Sequence, residues 1–190
     1  MSKTQADSNG TNGAPHRHGS PMRLEVVIIG VSDVDRAKAF YTDIGWRVDG
    51  DIGADGYRLV QLTPPGSTAS VIFGSGVTTA APGAGGSLLL AVDDMEATRE
   101  ALIRHGVEVS EMFHDAAGSL AGGFFASPER EAPGPDPEGR SYATYARFSD
   151  PDGNTWLLQE IVERLPGRVD PVDYAAFAKA DPDGAPGGRG

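Results

Sequence analysis

The sequence predicts an α+β fold made of one strand, helix, strand, strand, strand unit that occurs twice. The main observation is an internal repeat, because Val31-Ser32-Asp33 recurs 61 residues later as Val92-Asp93-Asp94. Gly45 and Gly106 are separated by the same 61 residues. Between the two copies, residues 74–86 consist mostly of Gly, Ala, Ser, Thr and Pro, a composition typical of a linker. These observations indicate a duplicated module.

Length, charge and composition limit the classes of function. The 190 residues suffice for one domain or two fused modules with a buried core. A formal net charge of -11 argues against a nucleic-acid partner, because binding to phosphates relies on Lys and Arg. The absence of Cys excludes disulfides and thiolate metal sites. No apolar run approaches roughly 18 residues and no signal-peptide pattern is present, so we expect no membrane partner and a cytoplasmic protein.

Composition also predicts the domain limits. We expect a disordered tail at residues 1–21, one domain at residues 22–162 with modules 22–75 and 86–162, and an extension at residues 163–190. The extension is expected to hold a short helix that starts near Asp170-Pro171, followed by a disordered end. Only the central region has the apolar content needed to offset the entropy of ordering.

The first module starts with a β-branched run at residues 24–31, which is typical of a strand buried on both faces. Ser32 is expected to cap the following helix, with Asp35 three residues later, and Gly45 is expected to end it. Apolar residues at helical spacing reach Ile44 and give the helix one buried face. Three more strands are predicted at residues 46–52, 57–63 and 69–73.

The second module repeats this pattern. A strand at residues 87–92 leads into a helix that Asp93 is expected to cap and Gly106 to end. Residues 115–139 form a long loop rich in Gly and Pro, and such loops often bind ligands. Asp150-Pro151-Asp152-Gly153-Asn154 is a turn by its residue chemistry. The remaining strands are predicted at residues 107–113, 141–148 and 155–161.

These motifs resemble those of the vicinal oxygen chelate superfamily, which includes glyoxalase I, extradiol dioxygenases, and fosfomycin- and bleomycin-resistance proteins. The resemblance covers about Leu24 to Ile161. It is carried by Val31-Ser32-Asp33, Ala39-Phe40-Tyr41, Gly45-Trp46, Val92-Asp93-Asp94, Gly106-Val107 and the segment Phe148 to Asn154. It implies two paired βαβββ modules whose sheets curl around a shared cavity.

The resemblance also implies the positions at which metal-dependent members hold a divalent ion. Those positions are occupied here by Val26, Phe73, Ser87 and Leu157. One hydroxyl beside three hydrocarbon side chains does not supply the imidazole nitrogens or carboxylate oxygens that such an ion requires. We therefore expect no metal and no other cofactor.

The alternation of side chains along a strand then predicts a binding pocket. If Leu157 faces the cavity, Gln159 does too, whereas Trp156 and Leu158 pack in the core. By the same reasoning, Tyr145 and Arg147 point inward. The predicted ligand-contacting residues are Ile28, Val71, Phe73, Ser87, Leu89, His114, Tyr145, Arg147, Leu157 and Gln159, with Val26 beside them.

Two functions are compatible with this pocket. The first is a metal-independent binding protein, similar to the bleomycin-resistance branch, that holds a drug or metabolite; the acidic net charge would suit a cationic ligand. The alternative is an enzyme of lyase, isomerase or dioxygenase type, which would use His114 with Tyr145 or Arg147, or a metal held by non-standard ligands. His114 is the candidate catalytic residue because an imidazole pKa of about 6.5 suits proton transfer.

Two structural questions stay open at the level of the sequence. The pocket could instead be filled by its own side chains, in which case the protein would bind nothing there. The modules of this fold pair either within one chain or by exchange between two chains, so a monomer and a homodimer are both compatible with the sequence.

Overall fold

A computed structural model of the chain describes residues 23–86, 88–116 and 128–164. The predicted α+β class and the duplicated module are confirmed. The first module contains β1 (Val26–Ile28), α1 (Val34–Asp43), β2 (Arg47–Ala54), β3 (Tyr57–Thr63) and β4 (Ser70–Ser75). Its strands form one sheet in the order β1-β4-β3-β2, in which only β1 and β4 run parallel.

The second module has the same topology with one additional strand. It contains β5 (Leu88–Val92), α2 (Met95–Arg104), β6 (Phe113–Asp115), β7 (Glu131–Pro133), β8 (Thr144–Ser149) and β9 (Thr155–Glu160). The sheet order is β5-β9-β8-β6-β7, with β5 parallel to β9. Strand β7 follows a single 3₁₀ turn at Pro128–Arg130 and lies at the edge of the sheet.

Both helices are capped one residue later than predicted. The Asp33 carboxylate accepts a hydrogen bond from the Arg36 backbone N–H at 3.0 Å, and Asp94 accepts one from Ala97 at 2.9 Å. The two caps occupy equivalent positions of the repeat, so the predictions of Ser32 and Asp93 as N-caps are wrong in the same way. The Ser32 hydroxyl instead donates to the Asp152 carboxylate of the second module.

The predicted strand at residues 107–113 is mostly absent. Within it, Val109 forms an isolated bridge with Phe148, and only Phe113 belongs to a strand, β6. The Ser110 hydroxyl accepts a hydrogen bond from the Arg147 N–H at 2.9 Å, so a side chain replaces a backbone group in the ladder. Regular pairing is therefore interrupted at this point.

The long loop predicted at residues 115–139 contains secondary structure that its Gly and Pro content conceals. Strand β7 lies within it and pairs with β6, with Glu131 opposite Asp115 and Pro133 opposite Phe113. This pairing depends on a partner strand rather than on local sequence pattern. Residues 117–127 of the loop, the predicted tail at residues 1–21 and the predicted C-terminal helix lie outside the described residues.

The two modules share one hydrophobic core, and Tyr41 of α1 lies at its centre. Its ring centroid is 4.6 Å from that of Trp46 and 5.8 Å from that of Phe73 in the first module. It is also 6.2 Å from the ring of Trp156 in the second module. Helix α1 therefore packs against both sheets, and the core-facing sides of the two sheets meet at the same cluster of apolar side chains.

A buried polar network connects the modules within this core. The Tyr41 hydroxyl donates to Asp150 at 2.8 Å and accepts a hydrogen bond from the Trp156 indole N–H at 3.0 Å. Burial raises the pKa of Tyr41 well above its ordinary value, and the negative charge of Asp150 acts in the same direction. The phenol therefore stays protonated and remains a donor to the carboxylate.

Asn154 is fully buried and joins three segments of the chain. Its side-chain amide donates to the Gly30 carbonyl at 3.0 Å and to Asp150 at 2.8 Å, while its oxygen accepts from the Gly85 N–H at 2.9 Å. Gly83, with a φ of +75°, brings the linker against the same turn, where a Cβ atom would lie 2.2 Å from the Asp152 carbonyl oxygen. The Asp150 to Asn154 turn is therefore the junction between the modules.

In the described ranges, neither helix is long and apolar enough to cross a lipid bilayer.

Asn154→Ala is expected to lower the free energy of unfolding by about 3 kcal/mol, because it leaves buried backbone groups of the junction without partners. Urea unfolding monitored by tryptophan fluorescence measures this loss, since Trp46 and Trp156 lie in the core. Ser149→Ala on the exposed end of β8 is the control and should change the free energy of unfolding by less than about 0.5 kcal/mol. Equal effects of the two substitutions would contradict the role of this junction.

Candidate functional site

Each sheet has one face against the shared core and one face directed away from it. We call the outward face of the first sheet the first open face; its residues are Val26, Ile28, Gln61, Ser70 and Ile72. Their side chains alternate with those of the core residues Val27, Ile29, Val60, Leu62, Val71 and Phe73. The strand register places Ile28 beside Ile72 and Val26 beside Ser70. This face is thus mainly aliphatic near β1, with polar side chains beside it.

We call the outward face of the second sheet the second open face; its residues are Leu89, Phe113, Tyr145, Arg147, Leu157 and Gln159. The register places Leu157 between Leu89 and Arg147, and Tyr145 between Gln159 and Phe113. Trp156 and Leu158 alternate with these residues and belong to the core, as the sequence predicted. Leu89 and Arg147 keep exposed surface on this face, whereas Phe113, Tyr145, Leu157 and Gln159 are buried.

Two of the predicted pocket residues lie on the wrong side of the first sheet. Val71 and Phe73 are buried in the shared core, and Phe73 is completely inaccessible. The repeat explains the error, because Leu89 pairs with Leu157, and Ile28, its equivalent 61 residues earlier, pairs with Ile72. Ile72 is therefore the counterpart of Leu157, and a shift of one residue reverses the face to which a side chain points.

The corrected register does not create a metal site. With this register, the resemblance implies Val26, Ile72 and Leu157 at three of the metal-ligand positions, and Ser87, at the fourth, lies outside the described residues. Hydrocarbon side chains offer no lone pair to a divalent ion. Among the residues that the structure describes, no group of three or more His, Cys, Asp or Glu side chains could hold a metal ion. The residues present do not fit the family's metal centre.

An aromatic cluster forms the floor of the second open face. The rings of Phe113 and Tyr145 stack with a centroid distance of 5.8 Å and an interplanar angle of 23°, and Leu157 completes the cluster. The Tyr145 hydroxyl donates to the Tyr142 carbonyl at 2.5 Å and accepts from the Gln159 amide at 3.0 Å. Gln159 also donates to the Tyr142 carbonyl at 3.0 Å. These hydrogen bonds fix the orientation of the Tyr145 ring.

Burial raises the pKa of Tyr145 above its ordinary value, because a buried phenolate would be poorly solvated. The hydrogen bond from Gln159 lowers this pKa and the charge of Asp115 raises it, but burial has the largest effect. The hydroxyl therefore stays protonated at neutral pH. Tyr142, which supplies the acceptor, adopts a φ of 68°, a left-handed conformation that is uncommon outside glycine.

Arg147 extends this cluster with a fixed positive charge. Its guanidinium carbon lies 4.3 Å from the centroid of the Phe113 ring. Two of its nitrogens donate to the Glu131 carboxylate of β7, at 2.5 and 3.2 Å. A second ion pair at the same edge joins Arg130 to Asp115. Each charge in this part of the face therefore has an opposite charge next to it.

Sequence reasoning missed Phe113 and Glu131 as members of this site. Phe113 ends a predicted strand and is adjacent to His114. Because successive side chains of a strand point to opposite faces, the strand pattern could have placed Phe113 on the face opposite His114. Glu131 lies in a segment of Gly and Pro character, and only its pairing with β6 brings it to Arg147. No local sequence pattern predicts that pairing.

The structure does not bring His114 together with Tyr145 or Arg147. His114 pairs with Thr144 and Ala132, so its side chain points away from the second open face. Its Nδ1 atom forms a 2.9 Å hydrogen bond with the Gly134 carbonyl. The predicted combination of His114 with either residue as a catalytic pair is therefore wrong.

Two surface concavities have volumes of about 480 and 380 Å³, and Arg147 is the one residue of the second open face among the residues that line them. The larger lies between Phe40 of α1 and the segment from Gly106 to Glu108. The smaller lies beside the start of α2 and Thr144. Neither contains the aromatic cluster of the second open face.

Comparison with solved structures finds the same fold in bacterial proteins. TnmS3, an antibiotic binding protein from Streptomyces sp. CB03234, is 27% identical with a TM-score of 0.56, covering 76% of this chain and 99% of that chain. A glyoxalase/bleomycin resistance protein from the same organism is 27% identical with a TM-score of 0.53, covering 73% of this chain and 100% of that chain. A superfamily member from Sphaerobacter thermophilus DSM 20745, at 23% identity and a TM-score of 0.50, covers 74% of this chain and 98% of that chain and shows the fold alone.

No curated protein matches the sequence significantly. The family model described as Glyoxalase/Bleomycin resistance protein/Dioxygenase superfamily matches residues 23–158, which include every strand of both modules except the last residues of β9. This match agrees with the resemblance in the sequence and with the two βαβββ sheets. The chain therefore belongs to the Glyoxalase/Bleomycin resistance protein/Dioxygenase superfamily.

Proposed function

We propose that the chain binds a small organic molecule on its open sheet faces and that it does so without a resident divalent metal. The observation that carries this proposal is the second open face, where Phe113, Tyr145 and Leu157 form a buried apolar cluster separate from the main core. Leu89 lies next to it and is 44% exposed. An apolar surface with a few fixed polar groups is typical of organic-ligand sites.

The solved structures support a drug or metabolite as the ligand class. TnmS3 is an antibiotic binding protein, and its similarity to this chain extends over nearly its whole length. The second Streptomyces protein belongs to the same superfamily at the same identity.

The side chains at the metal positions favour binding without an ion. Val26, Ile72 and Leu157 would place hydrocarbon where an ion needs nitrogen or oxygen. A ligand would therefore be held by apolar contact and by the hydrogen-bonding groups of the open faces.

The local charges do not favour a cationic ligand, although the net charge of the chain is -11. On the second open face Arg147 pairs with Glu131, and on the edge strand β2 of the first sheet Arg47 pairs with Asp49. Much of the acidic surplus lies on other parts of the surface, such as the exposed residues Asp93, Asp94 and Glu96 near the start of α2. A neutral or weakly acidic molecule suits these faces better.

We also propose that a second copy of the chain completes the binding cavity. Ile28 is 48% exposed and Leu89 is 44% exposed, and both lie on the outermost strand of their sheet, at equivalent positions of the repeat. Because both open faces point away from the shared core, pairing the first face of one copy with the second face of another would cover both residues. Exposed apolar side chains grouped in this way often mark an interface.

Ligand binding is tested with aromatic antibiotics and polyketides in a thermal-shift screen followed by calorimetry. A true ligand at about 100 times its Kd should add roughly 2.7 kcal/mol to the free energy of unfolding. Leu89→Glu should weaken binding at least about tenfold, because it places a carboxylate against an apolar surface. Ile103→Glu on α2, where Ile103 is 50% exposed, is the matched control and should bind normally. A panel without any ligand would count against the proposal.

Metal independence is tested by elemental analysis of protein purified without a histidine tag. We expect far less than one Zn, Ni, Fe or Mn ion per chain, and EDTA should leave the Tm and ligand affinity unchanged, because the described residues contain no group of three or more His, Cys, Asp or Glu side chains that could hold an ion. A stoichiometric metal whose removal abolishes ligand binding would show that this part of the proposal is wrong.

Dimer formation is tested by sedimentation velocity at several protein concentrations. The unsubstituted chain should sediment as a dimer, and Ile28→Glu should shift it to a monomer, since burying an unpaired carboxylate costs several kcal/mol. Ile103→Glu should remain dimeric. A monomer at all concentrations before any substitution would refute the shared cavity.

A further inference from the structure

We infer that the exposed face of the Arg147 guanidinium is a stacking surface for a flat, electron-rich aromatic ring of the ligand. The inference rests on the proposed function, because it names the chemical class that the second open face would select. In this role Arg147 acts through the flat shape of its guanidinium as well as through its positive charge.

The Arg147 guanidinium is held in place from two directions. One side of it lies against the Phe113 ring, with 4.3 Å between the guanidinium carbon and the ring centroid. Its edge is bound by the Glu131 carboxylate through two hydrogen bonds. Bidentate pairing fixes the plane of the guanidinium and contact with the ring fixes its height above the sheet. Few of its orientations remain to be lost when a ligand binds.

The Arg147 side chain nevertheless keeps 40% of its surface accessible, whereas that of Glu131 keeps 21%. With one side on Phe113 and the edge on Glu131, the opposite side of the plane is the natural place for a further flat group. A guanidinium is weakly hydrated above and below its plane, and it stacks readily on aromatic rings. A ligand ring could add to the stack without breaking either hydrogen bond to Glu131.

This geometry selects among organic molecules by their electron density. The face of an electron-rich ring carries negative potential and is attracted to a cation, whereas electron-poor rings lose this attraction. A cationic group on the ligand would meet the fixed charge of Arg147 at short range. The selected class is therefore neutral or anionic, flat and electron-rich.

N-acetyltryptophanamide with zero to four fluorine atoms on its indole ring is a suitable series of neutral probes. Affinity is measured by NMR titration, including the side-chain Nε–H signal of Arg147. From no fluorine to four, the affinity should fall about three- to tenfold, the range expected for a cation–π contact. Apolar contact alone would give the opposite order, since fluorine makes the ring more hydrophobic.

Arg147→Lys keeps the positive charge and removes the planar group. It should lower the affinity for the unfluorinated probe by about three- to tenfold and abolish the dependence on fluorine. Arg130→Lys is the matched control, because Arg130 also pairs with a carboxylate at this sheet edge and is not stacked on a ring in any described contact. It should change neither quantity by more than about twofold. Circular dichroism and Tm verify that both variants are folded.

The outcomes separate this inference from the proposed function. If antibiotics of the panel bind but the indole series does not, or binds without a fluorine trend or a loss in Arg147→Lys, the inference is wrong and the proposed function stands. If neither the panel nor the indole series binds the unsubstituted chain, both are wrong.

Discussion

The structure depends on the buried polar junction between its two modules. Tyr41, Asp150 and Asn154 exchange hydrogen bonds in a core from which water is excluded, and Asn154 also binds the backbone at Gly30 and Gly85. Burying such a polar group without a hydrogen-bond partner costs free energy. When every donor and acceptor is paired, the network favours one arrangement of the modules, because few other arrangements pair all of them. The junction therefore sets how the first module sits against the second, and it brings the core sides of both sheets together. Their other sides, the open faces, are left outward as a direct consequence.

The second open face shows how a sheet can present a rigid chemical surface. The Tyr145 ring is held by hydrogen bonds to Tyr142 and from Gln159, and the Arg147 guanidinium is held by Phe113 and Glu131. Each group is positioned by a neighbour on an adjacent strand, so the orientations of the Tyr145 ring and the Arg147 guanidinium are fixed by the fold. The ion pairs also balance positive and negative charges on this face. Its local charge therefore differs from the acidic net charge of the whole chain. His114 lies on the other side of the sheet from Tyr145 and Arg147.

The aliphatic side chains of the open faces and the proposed binding of an organic molecule without a metal are physically connected. In this superfamily the two sheets can place charged ligands around an ion, whereas here the corresponding strands carry Val26, Ile72 and Leu157. Hydrocarbon side chains at these positions avoid the desolvation cost that polar groups would impose on contact with an organic molecule. The duplicated module makes this arrangement symmetrical, since Ile28 and Leu89 occupy the same position in the two copies and expose similar aliphatic surface.

The sequence by itself determined the duplicated module, the helices, most strands and the side on which Trp156, Leu157 and Leu158 lie, because hydrophobic periodicity and turn residues are local signals. It also placed Arg147, Tyr145 and Gln159 on one face. Only the tertiary structure decided the register of β4, which places Phe73 in the core and Ile72 on the open face. The residues of β4 that face the core and those that face away from it both include apolar side chains, so alternation along the sequence does not distinguish the two faces. The tertiary structure alone revealed β7, the pairing of Glu131 with Arg147, and the use of Ser32 and Asn154 at the junction. Those contacts join residues that are distant in the chain, and no local pattern encodes which distant partner a side chain will meet.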